Sequence, residues 1–196
     1  MTKKRSALLF FCLILLNSVA ARADDVDDWV RSQMQLRHIP AISIAVIKDG
    51  RVLKAEGYGI ANLEHDTPAR VDTIFKIGST SKQFIAAGVM LLVQDGKVGV
   101  DEKISKYVSG TPAAWQAITI RHLLTHTSGL PREAPGFDPY KIQPDMDVIK
   151  SAFPLPLNAR PGDAYDYSNL GYYVLAELIH LVSGKVRRRR MNGRLE

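Results

Sequence analysis

Ser79 and Lys82 stand three residues apart in the stretch Phe75-Lys76-Ile77-Gly78-Ser79-Thr80-Ser81-Lys82-Gln83-Phe84. On a helix that spacing places two side chains on one face, about one turn apart. A serine hydroxyl is a weak nucleophile until a base takes its proton. A lysine amine can be that base once burial and neighbouring charge lower its pKa. A serine at a helix N-terminus also gains from the positive end of the helix dipole. The chemistry on offer is attack by a base-activated serine, with no cofactor and no metal expected. The tetrad alone is weak, because composition gives about one Ser-x-x-Lys in a chain this long. A capping serine beside a solvated lysine has the same spacing.

Two other groupings carry chemistry-bearing side chains. His126 and Ser128 are two residues apart, so their side chains point in different directions, and no Gly-x-Ser-x-Gly elbow is present. His122 and His126 are four apart on an expected helix and could meet one metal. The zinc-peptidase pattern requires Glu after the first His, and Leu123 stands there. Neither grouping competes with Ser79 and Lys82. The charges from Lys48 to Lys54 sit at a hairpin tip and read as solvated.

The elements that must hold the pair can be read from periodicity. Val26, Trp29, Val30 and Leu36, with acids before them and Arg37 after, predict a helix over Asp25 to Leu36. Ala41 to Val46 and Val52 to Tyr58 flank Asp49-Gly50 and predict a hairpin. Gly57 and Gly59 close its second strand, and Asn62 to Arg70 reads as loop. From Phe84 to Val93 every residue is apolar or glycine, which predicts a helix buried on all sides. Thr119 caps a short helix over Ile118 to His126. Seven prolines between 131 and 161 mark a long ordered loop, with a short helix over Asp147 to Phe153. A last helix runs from Asn169 to Val182 and ends at a left-handed Gly184. The pattern is α+β with two clear strands, too few for a stable sheet by themselves.

The two ends differ from the body. Lys3, Lys4 and Arg5 precede the apolar run Ala7 to Leu16, and Ala21-Arg22-Ala23 follows. This is the pattern of a secretory signal peptide cleaved after Ala23. It implies a periplasmic or secreted protein with no stable membrane span after cleavage. The one cysteine, Cys12, lies in that segment, so the mature chain depends on its core and not on disulfides. Of the net charge of +6, residues 1–23 hold +4 and residues 185–196 hold +5, leaving −3 for residues 24–184. A slightly acidic body does not suit nucleic acid. The expected organisation is a signal peptide at 1–23, one domain at 24–184 and an aberrant basic tail at 185–196.

Several segments now read together. Ile39-Pro40, then Ile44-Ala45-Val46 and Lys48-Asp49-Gly50, form one. Ile118-Thr119-Ile120-Arg121-His122-Leu123-Leu124-Thr125-His126-Thr127-Ser128-Gly129-Leu130 forms another. Pro161-Gly162 and Tyr165 precede Tyr167-Ser168-Asn169-Leu170-Gly171-Tyr172. With the Ser79 segment they resemble, in order, the superfamily of class C β-lactamases, penicillin-binding proteins, DD-peptidases and related esterases. The resemblance implies a β-lactamase/transpeptidase-like fold with an N-terminal hairpin and a helical region. It implies that Ser79 attacks a carbonyl and becomes acylated, that Lys82 and Tyr167 share the work of general base, and that Asn169 binds the substrate amide and Lys82. The backbone N–H of Ser79 is then one oxyanion donor. Tyr-x-Asn in place of Ser-Asp-Asn points to the class C, DD-peptidase and esterase side. Taken alone, Tyr167 could equally be a packed aromatic, which is what Tyr165, Tyr172 and Tyr173 are expected to be.

In the resembled superfamily a third motif, Lys- or His-x-Gly, follows on a strand that edges the site. Nothing after Gly184 matches it, so the C-terminal sheet strands are expected to be missing. The four arginines Arg187 to Arg190 repel one another. The tail is expected to come from a frameshift, a premature stop or a rearrangement, with turnover impaired. The expected partner is a small-molecule amide or ester: a β-lactam, a D-Ala-D-Ala peptide of peptidoglycan, or an ester. The alternatives are a non-catalytic penicillin- or peptidoglycan-binding module and an inactive pseudogene fragment.

Overall fold

A computed structural model describes residues 25–138, 140–141 and 143–184. The signal segment 1–23 and the basic tail 185–196 lie outside the described residues. The chain divides into two compact units, residues 1–76 and residues 77–196.

The first unit holds helix α1 (25–36) and the strands β1 (Ala41–Lys48), β2 (Arg51–Asn62) and β3 (Thr67–Pro68). The sheet is antiparallel in the order β1-β2-β3, with Ala41 opposite Gly59 and Lys48 opposite Arg51. The hairpin forms where Asp49-Gly50 predicts it. Both residues have positive φ, 50° and 72°, the turn whose twist matches its flanking strands. The stretch expected to be loop contributes β3, which pairs Pro68 with Ile60 and Thr67 with Asn62. Proline tolerates that place because an edge residue need not donate to a neighbour. Strand β2 also runs past Gly59, where it was expected to stop. Helix α1 is tied to β2 through Asp27, which accepts from the Tyr58 hydroxyl at 2.5 Å and pairs with Lys54 Nζ at 2.5 Å.

The second unit is helical among its described residues. A 3₁₀ turn at Gly78–Ser81 leads into α2 (Lys82–Gln94), followed by α3 (Ile120–Leu124), α4 (Asp145–Ser151) and α5 (Asn169–Ser183). Helix α5 is the hub and packs against α2, α3 and α4. Its Leu170, Val174, Leu175 and Leu178 recur at helical spacing and are all fully buried. Around them lie Trp115, edge-on to Phe153 with ring centroids 5.1 Å apart, and Ile104, Ile118 and Leu123. Helix α2 meets α5 closely at Gly88, where a Cβ would come within 2.9 Å of Ile179 Cδ1.

The expectation that α2 is buried on all sides is not met. Val89 and Leu92 are buried, but Phe84, Met90 and Leu91 are exposed, because α5 covers only one face. The caps do follow the sequence. Thr119 Oγ1 accepts from His122 N at 3.2 Å, and His122 Nδ1 accepts from Thr119 N at 3.2 Å. Such a capping box contributes about 1 kcal/mol. Ser168 caps α5 by accepting from Gly171 N at 3.0 Å, and Gly184 ends it with φ 64°.

Candidate active site

The site begins at a glycine. Gly78 has φ 54°, a conformation that side-chain-bearing residues adopt with strain. It turns the chain into the 3₁₀ segment that carries Ser79. In a 3₁₀ helix the residues at i and i+3 eclipse, so Ser79 and Lys82 are brought closer than an α-helix would bring them. Lys82 Nζ donates to Ser79 Oγ at 3.2 Å. Ser79 therefore stands one turn before α2, not at its first turn, and Lys82 is the first α-helical residue. The fully buried α2 wall expected beside the pair is absent among the described residues.

Tyr167 and Asn169 arrive from the segment that opens α5. The Tyr167 hydroxyl lies 2.7 Å from Ser79 Oγ, and Asn169 Oδ1 accepts from Lys82 Nζ at 2.6 Å. All four residues singled out in the sequence meet in one cluster. The Lys82 ammonium and the Ser79 hydroxyl, in that order, stabilise the Tyr167 phenolate, and Lys82 and Arg132 add favourable charge. Together they hold the phenol below its ordinary pKa, against a smaller opposing effect of burial. The Arg132 guanidinium lies over the Tyr167 ring, 5.0 Å from its centroid. A phenol with a lowered pKa, in hydrogen-bond reach of a hydroxyl, can act as general base toward that hydroxyl.

Two residues of this constellation were not legible as site residues. Glu133 Oε1 accepts from Asn169 Nδ2 at 2.5 Å, which fixes the amide so that its oxygen faces Lys82. A bare Glu after Pro131-Arg132 gives no signal of that role. His126, set aside above as a nucleophile's partner and as a metal ligand, stacks on Tyr167 with centroids 4.5 Å apart. Its Nδ1 accepts from Ser168 N, and Ser128 Oγ accepts from Leu130 N. His122 is engaged in the α3 cap. Of the tyrosines expected to be packed aromatics, Tyr172 is buried and donates to Leu124 O at 3.2 Å, and Tyr173 packs against Phe137. Tyr165 departs from that expectation: it is exposed, meeting His126 edge-on.

A cleft of about 320 Å³ opens onto Ser79 and Lys82, walled by Glu133, Phe137, Asn169 and Tyr173. That is the lower end of the volumes that hold small organic ligands. The cleft brings a serine hydroxyl, a lysine amine, a carboxamide, a carboxylate and an aromatic wall into one place.

Comparison with known proteins places this arrangement. A family model described as Beta-lactamase matches residues 26–193. Penicillin-binding protein 4* of Bacillus subtilis (strain 168) is 35% identical over 150 residues, covering 69% of this chain and 33% of that protein. The octameric penicillin-binding protein homologue from Pyrococcus abyssi superposes with a TM-score of 0.69 at 33% identity, covering 83% of this chain and 39% of its own. The D-amino acid amidase from Ochrobactrum anthropi SV3, complexed with L-phenylalanine, gives 0.68 at 31% identity, covering 78% and 43%. A class C beta-lactamase in complex with cefoxitin gives 0.69 at 28% identity, covering 84% and 46%. The chain spans about a third of the length of the curated relatives it matches.

Proposed function

The chain belongs to the beta-lactamase family, and from that footing we propose that it is a serine hydrolase acting by acyl-enzyme formation, with Ser79 as nucleophile. The carrying observation is the 2.7 Å approach of the Tyr167 hydroxyl to Ser79 Oγ, with Lys82 Nζ 3.2 Å from the same oxygen. In the first step the Tyr167 phenolate takes the Ser79 proton as Oγ bonds to the substrate carbonyl carbon. The carbonyl oxygen becomes an oxyanion, received by the backbone N–H of Ser79. Lys82 holds the phenolate in its charged form and passes no carbon chemistry itself. Collapse of the tetrahedral adduct expels the leaving amine or alkoxide, which takes the proton from Tyr167. Water then attacks the acyl ester with Tyr167 again as base, freeing the acid and Ser79.

The substrate class is an amide or ester, with β-lactams, D-Ala-D-Ala peptides and short esters as the members to test. Support comes from the relatives, among them an amidase complexed with an amino acid and a β-lactamase complexed with cefoxitin. Asn169, fixed between Lys82 and Glu133, would present its remaining N–H to the acyl side of the substrate. We place the chain in the periplasm or outside the cell, with cleavage after Ala23; N-terminal sequencing of the exported protein tests this.

The deciding experiment treats the full chain with a fluorescent penicillin and with a fluorophosphonate, followed by mass spectrometry. A covalent adduct on Ser79, lost in Ser79→Ala, is the expected result. Reversible binding with no adduct would favour a non-catalytic penicillin-binding module instead.

A further inference from the structure

His126 lies just past the end of α3, where the chain has left the helix with φ 57°. A non-glycine residue in that region is uncommon and is retained where surrounding contacts fix it. The contacts here converge on three consecutive residues. The His126 carbonyl accepts from Asp166 N at 2.7 Å. Its Nδ1 accepts from Ser168 N at 3.1 Å. Between those two bonds its ring stacks on the ring of Tyr167, with centroids 4.5 Å apart and planes 29° apart. On its other contacts the ring meets Tyr172 at 5.0 Å and Tyr165 at 5.8 Å. Residue 167 is thus held by both flanking amides and by its own ring, all from one side chain and its backbone.

The bond to Ser168 N also fixes the charge state. A nitrogen that accepts a hydrogen bond carries no proton, so the clamp exists only in neutral imidazole. The titratable groups facing the ring are Lys82 from α2, Tyr165 and Tyr167 before α5, and Tyr172 on α5, with Arg132 on Tyr167. The Asp166 carboxylate is engaged by Asn158 Nδ2 at 2.8 Å. Burial, and secondarily the Lys82 charge, push the His126 pKa below its ordinary value. A proton on Nδ1 would set donor against donor at Ser168 N.

We propose that His126 is a positioning residue whose neutral ring aims the Tyr167 phenol at Ser79, so that protonating His126 disables the site. This rests on the acyl-transfer reading of the Ser79 cluster. A displacement of about 1 Å at a reacting group can lower a rate about 10²-fold, and this clamp acts with the bonds from Ser168 Oγ to Pro131 O and from Asn169 N to Arg132 O to hold the backbone around residue 167.

The test uses the full chain, the fluorophosphonate, and two substitutions. His126→Asn keeps an acceptor at the Nδ1 position and tolerates positive φ, but cannot titrate. His126→Phe keeps the stack and removes the acceptor. Ser79 labelling is followed from pH 4 to pH 9, and the Tyr167 phenol is titrated by NMR of ring-labelled tyrosine. Wild-type labelling should fall as pH drops through a His126 pKa lying below 6.5. In His126→Asn that acid limb should flatten, while labelling at neutral pH falls less than in His126→Phe, because Ser168 N keeps an acceptor although the stack on Tyr167 is lost. In His126→Phe labelling should drop about 10- to 100-fold at neutral pH, and the Tyr167 phenol pKa should rise toward its ordinary value. A folded His126→Phe with wild-type labelling, wild-type acid limb and unmoved phenol titration overturns the proposal. If the wild type gives no adduct at any pH, the acyl-transfer reading fails. The phenol titration still decides whether His126 holds Tyr167.

Discussion

Residues 25–76 bury three apolar side chains, Val30, Tyr58 and Ala69, whereas the described residues of 77–184 bury nineteen in one cluster. The first unit is therefore held by ladder hydrogen bonds, one mirror-image turn and the Asp27–Lys54–Tyr58 contact. Its Ile47, Val52 and Leu53 side chains are exposed. The second unit is held by burial. Ser79, Lys82, Tyr167 and Asn169 all stand in the second, on a turn and two helices that share a packed core. Catalytic groups must be held to a fraction of an ångström, and a packed interior resists such displacement where a solvated hairpin does not. The difference teaches that the described site is built where its supports are stiffest.

That contrast can be broken in graded ways. Tyr167→Phe removes only the hydroxyl facing Ser79, and should lower the labelling rate about 10²- to 10⁴-fold. Thermal unfolding of the second unit should be unchanged, since the ring still stacks on His126; an equal fall in stability would mean that Tyr167 is a packing residue. Trp115→Ala empties the centre of the large core and should destabilise the second unit by about 3–5 kcal/mol, read by urea denaturation. Tyr58→Phe deletes the bond to Asp27 and should lower the stability of the first unit by less than the Trp115 change lowers that of the second. Hydrogen exchange should show that loss confined to residues 25–76; loss spreading to α5 would erase the distinction between the units.

Acid gives the gentlest separation. The bond from Lys54, then that from Tyr58, holds the Asp27 carboxyl below its ordinary pKa. In the second unit Lys106, Tyr107 and the Gly99 amide lower Glu102 from 4.5 to about 2. A carboxyl with a depressed folded pKa contributes stability that is present above its unfolded pKa and lost as pH falls through the folded one. Glu102 should therefore withdraw its contribution between about pH 4.5 and pH 2, and Asp27 below about pH 3.8. Glu102→Gln should flatten only the acid loss of the second unit, and Asp27→Asn only that of the first. Residue-resolved exchange across that range checks both.

Much of the local structure was legible because its causes are local. Asp49-Gly50 specifies its turn by tolerance of positive φ, Thr119 and Ser168 cap helices with their own hydroxyls, and Gly184 ends α5 in the left-handed region. Strand β3 was not legible, since two residues have no periodicity and pair only because β2 presents an edge. The exposed face of α2 was not legible from its own residues, since an all-apolar sequence says what a helix could bury and not which neighbours cover it.

For the proposed site, the sequence by itself picked out the Ser79-x-x-Lys82 and Tyr167-x-Asn169 segments, because each carries its own residue types at fixed spacing. It could not place them together, 88 residues apart along the chain. Only the packing of α2 on α5 decides that, and with it the cleft and the lowered phenol pKa. Nor could it assign Glu133 and His126, which are unremarkable as residue types. Their roles arise from distances to Asn169 and Tyr167 that exist only once the loop after α3 has folded against the start of α5, because hydrogen bonds and ring contacts depend on position in space and not on order in the chain.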